Sequence, residues 1–499
     1  MTFAYAPFSI WFIPFLSLSL FFYLLLSNPQ FSGFKSGFVF GFGWFGAGIS
    51  WVHVSIANFG GLPLIGSLAL MALLVGYLAL FPALFVWLSN KFNYKVVQPL
   101  IFTALWFLIE WLRSWFLTGF PWLSIGYSQS QGPLAAWYPL IGETGVSCVL
   151  ILFCSFIARQ LVGKAKGVLV PTKHTITASL ALTFVTLIFN NLSFVKVRDD
   201  FVTMAMAQGN IKQELRWVPE QDQPTMQKYL KLSESLWHND IILWPEAAIP
   251  KLEPLAQDYL SELDKQAFHS NTGLITGIVN YNFETSEAFN NLIVLGKRNA
   301  EAEAPEYQYL HHNRYAKHHL LPIGEFIPME DWLRGLAPIF DLPMSSFSRG
   351  NYEQANLEVN GYHFLSAICF EIAFPRQIAA NLRKNSDFIV TVSNDAWFGA
   401  SHGPAQHLEI ARVRAAEFGL PLLRATNNGL TAFVDHTGKV IAQAPQFAEA
   451  TLEAQLPKVE GMTPYRYWGD LPLWIFALII LLYSAMAQHK AQSRPETST

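Results

Sequence analysis

Phe364-Leu365-Ser366-Ala367-Ile368-Cys369-Phe370-Glu371 is an apolar run that ends in a single cysteine, with a carboxylate two residues further on. A short run of this kind, bounded by polar residues, reads as a buried β-strand whose last residue emerges at the edge of a sheet. Similar runs stand at 202–207, 241–244, 274–279, 291–295, 388–392 and 422–425. Helical patterns at 222–237, 255–269 and 404–418 separate them. Strands alternating with helices imply a layered α/β domain with active residues at strand ends. Three of those ends carry Glu246, Cys369 and Asn394-Asp395, which would bring distant positions to one rim.

This block sits in an unusually apolar chain. Of 499 residues, 52% are hydrophobic and only 14% charged, too few charges for an ordinary soluble enzyme. The average conceals two regions: 1–195 is almost continuously apolar, while 200–465 has globular composition. A net charge of −3 argues against a nucleic-acid partner. Cys148 and Cys154 fall in an apolar helix as small hydrophobes, so no disulfide framework is implied. No CxxC-type spacing exists, and neither a metal nor a cofactor is expected.

Runs near the roughly 20 residues that cross a bilayer occur at 8–27, 36–56, 64–88, 98–118, 140–158, 175–194 and 471–487. That makes seven expected spans. The first lacks the basic start and small-residue cleavage site of a signal peptide, so it counts as a span. Lys35, Lys91, Lys95, Arg159, Lys164, Lys166, Lys173, Lys490 and Arg494 fall on one side, while the loops at 57–63 and 119–139 have no Lys or Arg. The positive-inside rule makes the charged side cytoplasmic and turns 196–470 outward. It also leaves the N-terminus outside, which suggests a missing first span.

Within the apolar half, Gly41-Phe42-Gly43-Trp44-Phe45-Gly46 reads as a close helix-packing surface. Glu110, Arg113 and Glu143 lie in or beside spans, where ionisable groups are functional candidates. Glu110 and Arg113, three apart, are equally a mutual ion pair. Gly119-Phe120-Pro121-Trp122 reads as an interfacial belt or re-entrant segment.

A cysteine attacks as thiolate, and an ordinary thiol with a pKa of about 8.5 is mostly protonated at neutral pH. An ammonium lowers that pKa and a carboxylate accepts the proton. Cys369 as nucleophile, Glu246 as base and Lys317 as cation meet these needs. Lys317 and the backbone N–H of Phe370 can also face an oxyanion. Glu325 is a second carboxylate suited to orient Lys317. Each residue has a plainer alternative: a packed strand end for Cys369, a helix-start acid for Glu246, a solvated face for Lys317. His318 and His319, adjacent on one strand, point to opposite faces and argue against a Cys–His dyad.

Trp244-Pro245-Glu246, Lys317 with Pro322-Ile323-Gly324-Glu325, and Ile368-Cys369-Phe370-Glu371 together resemble the triad of the nitrilase (carbon–nitrogen hydrolase) superfamily. Further stretches resemble its membrane branch, the apolipoprotein N-acyltransferases: GFGWFGAGISW at 41–51, TGFPWLSIGY at 118–127, Gln208-Gly209-Asn210, LPMSSFSRG at 342–350, VSNDAWFG at 392–399 and LRATNNG at 423–429. They cover nearly the whole chain.

The resemblance implies a multi-span α-helical membrane bundle with an αββα sandwich: 1–195 as bundle, 196–465 as extracytoplasmic catalytic domain, 466–499 as last span and tail. It implies ping-pong transfer of a fatty acyl chain from a phospholipid to the α-amino group of a diacylglyceryl-cysteine on an apolipoprotein. The setting would be a bacterial inner membrane, the protein a monomer, its site facing the periplasm. Glu246, Lys317 and Cys369 would be catalytic, with Glu325, Phe370 and Glu371 supporting. Trp217, Asn394, Trp397 and Phe398 would line lipid access. The family usually has Tyr where Phe370 stands, and eight spans rather than seven. A membrane-tethered amidase acting on a small amide would use the same triad, and a non-enzymatic scaffold would leave Cys369 dispensable.

Overall fold

A computed structural model describes residues 1–31, 33–59, 63–92, 97–166, 172–216, 218–299, 301–322, 324–326 and 347–492. The chain forms two compact units, one of Met1–His53, Leu64–Phe194 and Thr463–Thr499, the other of Val54–Pro63 and Val195–Met462.

The first unit is helical. Among the described residues, Leu64–Ser89, Pro133–Ala165 and Leu471–Lys490 are long and apolar enough to cross a membrane singly. The run expected at 36–56 is instead a pair, Phe34–Gly48 and Val52–Asn58, bent by 57°. The runs at 8–27 and 98–118 yield helices Ile13–Ser27 and Gln98–Arg113, of 15 and 16 residues. At about 1.5 Å per residue these span less than the ~30 Å hydrocarbon layer. The second ends at Arg113; the backbone leaves helical geometry at Trp115 (φ −140°), and Leu117 and Thr118 beyond it take left-handed angles (φ 47° and 76°). The run at 175–194 is helix Thr172–Asn190, and the chain turns into a strand from Val195.

Glycine does set helix packing. A Cβ at Gly37 would lie 2.4 Å from the carbonyl of Pro82, and one at Gly41 3.0 Å from Cα of Ala79. The small-xxx-small spacing of these two residues lets Phe34–Gly48 lie backbone to backbone on Leu64–Ser89. Gly43, by contrast, faces open space. Glu110 pairs with Arg113, whose Nη1 also donates to the carbonyls of Phe120 and Trp122 at 2.6 and 2.8 Å. Trp122 is therefore not a belt residue: it is buried, packed 5.4 Å from Trp51, where the Arg113 bonds hold its backbone. Buried Glu143 accepts hydrogen bonds from Ser124 and Ser147.

The second unit has two six-stranded sheets. One holds β1 (Val195–Gln208), β2 (Ile241–Leu243), β3 (Gly273–Asn282), β4 (Glu287–Gly296), β5 (Arg314–Ala316) and β12 (Ala450–Gly461), in the order 12-1-2-3-4-5. The other runs 11-10-9-8-7-6, from β6 (Leu357–Val359), β7 (Tyr362–Ile368), β8 (Phe388–Ser393), β9 (Leu422–Thr426), β10 (Ala432–Val434) and β11 (Val440–Gln443). Two-residue periodicity sorts the side chains. Met204, Met206, Ile241, Leu243 and Ile275 meet Ile368, Val390, Val392 and Leu423 in one apolar cluster between the sheets. Alternate residues Ala205, Ala207, Ile242 and Trp244 pack on helices Pro219–Ser233 and Gln257–His269 through Met226, Tyr229, Leu260 and Leu263. The layering is αββα.

Strands β1, β2 and β3 pair in parallel, as do β7, β8 and β9. Parallel pairing points several carboxyl ends to one rim, where α/β sheets place their ligands. That rim receives Gln208, Glu246, Cys369, Asn394 and Asn427.

Candidate active site

Glu246 follows β2 through Trp244, which is fully buried and donates from Nε1 to Ser233 Oγ at 2.9 Å. The turn passes so close to β3 that a Cβ on Gly277 would sit 2.3 Å from the backbone nitrogen of Ala247. Only glycine admits this approach. It leaves the Glu246 carboxylate inside the site, accepting from Asn290 Nδ2 at 2.7 Å and from the backbone N–H of Asn394 at 2.9 Å. Arg216 donates to the Glu246 carbonyl at 3.0 Å.

Lys317 follows β5 and bonds backbone to backbone with Asn290 at 2.8 Å. Its Nζ lies 2.8 Å from Glu325 Oε1 and 3.6 Å from Glu246 Oε1. Asn290 Nδ2 also reaches Glu325 Oε1 at 3.2 Å, so one amide spans both carboxylates. Burial alone would discharge Lys317, but Glu325 and then Glu246 outweigh it and hold the ammonium charged well above its ordinary range.

Cys369 is the first residue after β7 and has φ +55°. A non-glycine residue in the left-handed region carries strain of about 1–3 kcal/mol, so neighbouring bonds must impose the turn. Glu371 supplies several of them. Fully buried, it accepts from the backbone N–H of Ile368 (2.8 Å), His318 (2.9 Å) and His319 (3.0 Å), from Tyr315 OH (2.9 Å) and from Gln377 Nε2 (2.7 Å). One carboxylate thus ties the Cys369 turn to the segment that follows Lys317. Phe370 lies edge-on to Phe374, with ring centroids 5.0 Å apart.

The thiol differs from the sequence expectation. Burial and then the Glu246 carboxylate push the Cys369 pKa up to about 12, and Lys317 and Ser393 only partly offset them. Glu246 and Glu325 already take up Lys317, and Arg216 donates to the Glu246 carbonyl, so these cations are engaged and do not fully offset the burial of a thiolate. The resting sulfur is a thiol, and Glu246 is the neighbouring group that can take its proton.

The remaining sequence candidates divide. Glu325 joins the site as the principal partner of Lys317. Asn394 meets Glu246 through its backbone, while its side chain accepts from Asn427 Nδ2 at 3.0 Å and donates to Gln213. Trp397 and Phe398 form a short turn after β8; Ser55 Oγ donates to the Trp397 carbonyl at 2.7 Å. Phe398 packs edge-on to His407, with centroids 6.0 Å apart. Trp217, Ile323 and 342–346 lie outside the described residues. Sequence reasoning missed Asn290, Ser393, His407 and Arg424. Ser393 and Asp395 stood inside the quoted VSNDAWFG stretch and Arg424 inside LRATNNG, while Asn290 and His407 had no signal.

Comparison with known proteins bears on both units. Residues 1–156 match the family model of the apolipoprotein N-acyltransferase N-terminal domain, and residues 203–466 that of carbon–nitrogen hydrolase. The chain is 44% identical over 499 residues to the apolipoprotein N-acyltransferase of Photobacterium profundum, covering 99% of this chain and 94% of that one. It belongs to the apolipoprotein N-acyltransferase family. The relative of that name in Shewanella oneidensis is also 44% identical, over 496 residues, with 98% of this chain and 94% of that one covered. The carbon–nitrogen hydrolase match of this family member takes in every site residue from Arg216 to Arg424. Its apolar helices mark it as a membrane protein.

Proposed function

We propose that the protein moves a fatty acyl chain from a membrane phospholipid, through a thioester on Cys369, to the α-amino group of an N-terminal diacylglyceryl-cysteine, the last step of lipoprotein maturation. The observation that carries this reading is the buried Glu246–Lys317–Cys369 cluster at the sheet rim, in a chain that also carries bilayer-length apolar helices. Residues 1–195 serve as bundle, 196–465 as catalytic domain and 466–499 as anchor and tail, with the site on the periplasmic side of a bacterial inner membrane. Both substrates keep their chains in the bilayer, because each CH₂ withdrawn to water costs about 0.8 kcal/mol.

Glu246 takes the S–H proton as sulfur attacks the ester carbonyl. The Lys317 ammonium faces the oxyanion that develops, a role worth about 3–4 kcal/mol per well-placed donor. Collapse breaks the ester C–O bond, and the proton on Glu246 passes to the departing lysophospholipid alkoxide. The acceptor amine, with an α-amino pKa near 7.7–8.0, is partly neutral at neutral pH. It attacks the thioester and gives a proton to Glu246; the C–S bond breaks, and that proton passes from Glu246 to the departing sulfur, restoring the thiol and the carboxylate.

The test is N-acylation of a synthetic diacylated lipopeptide by purified protein in phospholipid micelles, read by mass spectrometry. One added acyl group, absent with Cys369→Ser, supports the reading. Ammonia released from small amides without lipopeptide acylation would favour a tethered amidase instead.

A further inference from the structure

The three reacting groups leave unused a polar network packed behind the nucleophile. Parallel register sets Ile368 of β7 opposite Val392 of β8, which brings Ser393 beside Cys369. Ser393 Oγ lies 3.3 Å from Cys369 Sγ and 2.7 Å from Asp395 Oδ1. Asp395, fully buried, accepts from Arg424 Nη2 at 2.7 Å and faces His407 Nδ1 at 3.1 Å. The other ring nitrogen, Nε2, stands 3.1 Å from the backbone oxygen of Cys369. The contacts run from the sulfur through Ser393, Asp395 and His407 back to the carbonyl of the same residue.

We propose that this closed ring positions Cys369 and stabilises its thiolate, with His407 as a doubly protonated imidazolium and the Ser393 hydroxyl turning from Asp395 to sulfur when the thiol loses its proton. The ring rests only on Cys369 being the nucleophile. A carbonyl oxygen only accepts, so His407 Nε2 must carry a hydrogen to bond Cys369. An ionised carboxylate also only accepts, so Nδ1 must carry one too. Asp395 is ionised: burial opposes its charge, but Arg424, His407 and two hydrogen bonds hold its carboxyl far below the usual range. Burial and then Arg424 pull the His407 pKa below its ordinary value, although Asp395 and the two hydrogen bonds act to keep the ring charged. The bonding decides, because a neutral ring at zero exposure would aim a lone pair at an acceptor.

Ser393 has one hydroxyl hydrogen and two claimants. While sulfur is a thiol, the nearer, charged Asp395 takes it, and S–H donates to Ser393 Oγ. When Glu246 removes the S–H proton, the hydroxyl rotates and donates to the thiolate, and Asp395 keeps Arg424 and His407. No O–H bond breaks; the single proton transferred is the one that goes to Glu246. The charged groups interacting with Cys369 include Glu246, Lys317, Asp395 and Arg216, and those interacting with His407 include Asp395 and Arg424. The His407–carbonyl bond also secures the left-handed turn that aims the sulfur.

Iodoacetamide labelling of Cys369 in the full-length protein, followed from pH 6 to 10, tests the ring independently of acyl transfer. Ser393→Ala should label about tenfold more slowly at each pH, a shift of about one unit for one bond to a charged group. Ser393→Thr, which keeps the hydroxyl, should restore the wild-type profile, and the melting temperature should not track these changes. A wild-type profile for folded Ser393→Ala would overturn the proposal. ¹⁵N shifts of His407 in the unmodified protein provide a second check: two protonated ring nitrogens near neutral pH are expected, and a neutral ring would overturn it. Failure of lipopeptide acylation by wild type would strike the proposed function and leave both readouts intact.

Discussion

Glu246→Gln should separate thiol reactivity from acyl transfer and move them in opposite directions. The Glu246 carboxylate raises the Cys369 pKa to about 12, second only to burial. Removing a like charge from a poorly solvated neighbourhood is worth roughly one to three pKa units, about 1.4–4 kcal/mol. A thiol titrating far above the assay pH is reactive in proportion to its thiolate fraction. Labelling at fixed neutral pH should therefore rise roughly 10- to 1,000-fold. Acyl transfer should fall by about 10²–10⁴, because glutamine cannot take the proton. The sign is checked across pH: with the thiol raised, reactivity declines as pH falls, tenfold per unit, with no plateau between pH 6 and 9. The assay is iodoacetamide labelling with peptide mass spectrometry beside lipopeptide acylation on the same preparations. Labelling that slows in Glu246→Gln in step with acylation would refute the reasoning, because Glu246 would then be favouring the thiolate.

Lys317→Met should abolish acylation and, by leaving Glu246 and Glu325 buried without their ammonium, destabilise the fold by about 3–5 kcal/mol; chemical unfolding against wild type measures this. Glu371→Ala strips the acceptor from five donors and should cost at least the 3–5 kcal/mol class of loss for a broken buried network, with Glu371→Gln retaining part of the stability in the same assay. Gly277→Val should abolish activity while the protein remains membrane-inserted, because a Cβ there meets the Ala247 backbone at 2.3 Å; circular dichroism with the acylation assay separates the two effects. Gly41→Leu should lower thermal stability with little change in Cys369 labelling, since its contact is with Ala79 and Pro82 in the helical unit.

Much of the αββα layering was legible because its central strands carry buried apolar runs, such as 273–279, 388–392 and the second half of β1. All seven runs singled out from the sequence are strands, and their ends at Glu246, Cys369 and Asn394 do share a rim. The edge strands were not legible. β5 and β6 are three residues each, and β12 alternates half-exposed residues around Pro457, so none forms an apolar run. The breaks within the apolar runs at 98–118 and 36–56 were not legible because hydropathy is blind to backbone angles: non-helical angles after Arg113 and the 57° bend after Gly48 interrupt helices whose composition would let them continue. Ser393, His407 and Arg424 were given no role for another reason. A buried polar residue acquires meaning from the neighbour that register assigns it, and only the pairing of β7, β8 and β9 puts these three behind one sulfur. The thiol state was missed because counting one lysine beside one cysteine ignores burial and the two carboxylates that share that lysine.

Intact-mass analysis of the protein after incubation with phospholipid alone, without acceptor, tests the covalent step most directly. One fatty acyl group should appear on Cys369, hydroxylamine should remove it, and a diacylated lipopeptide should discharge it. An unmodified Cys369 under conditions where lipopeptide is still acylated, or undiminished acylation by Cys369→Ser, would contradict a thioester route.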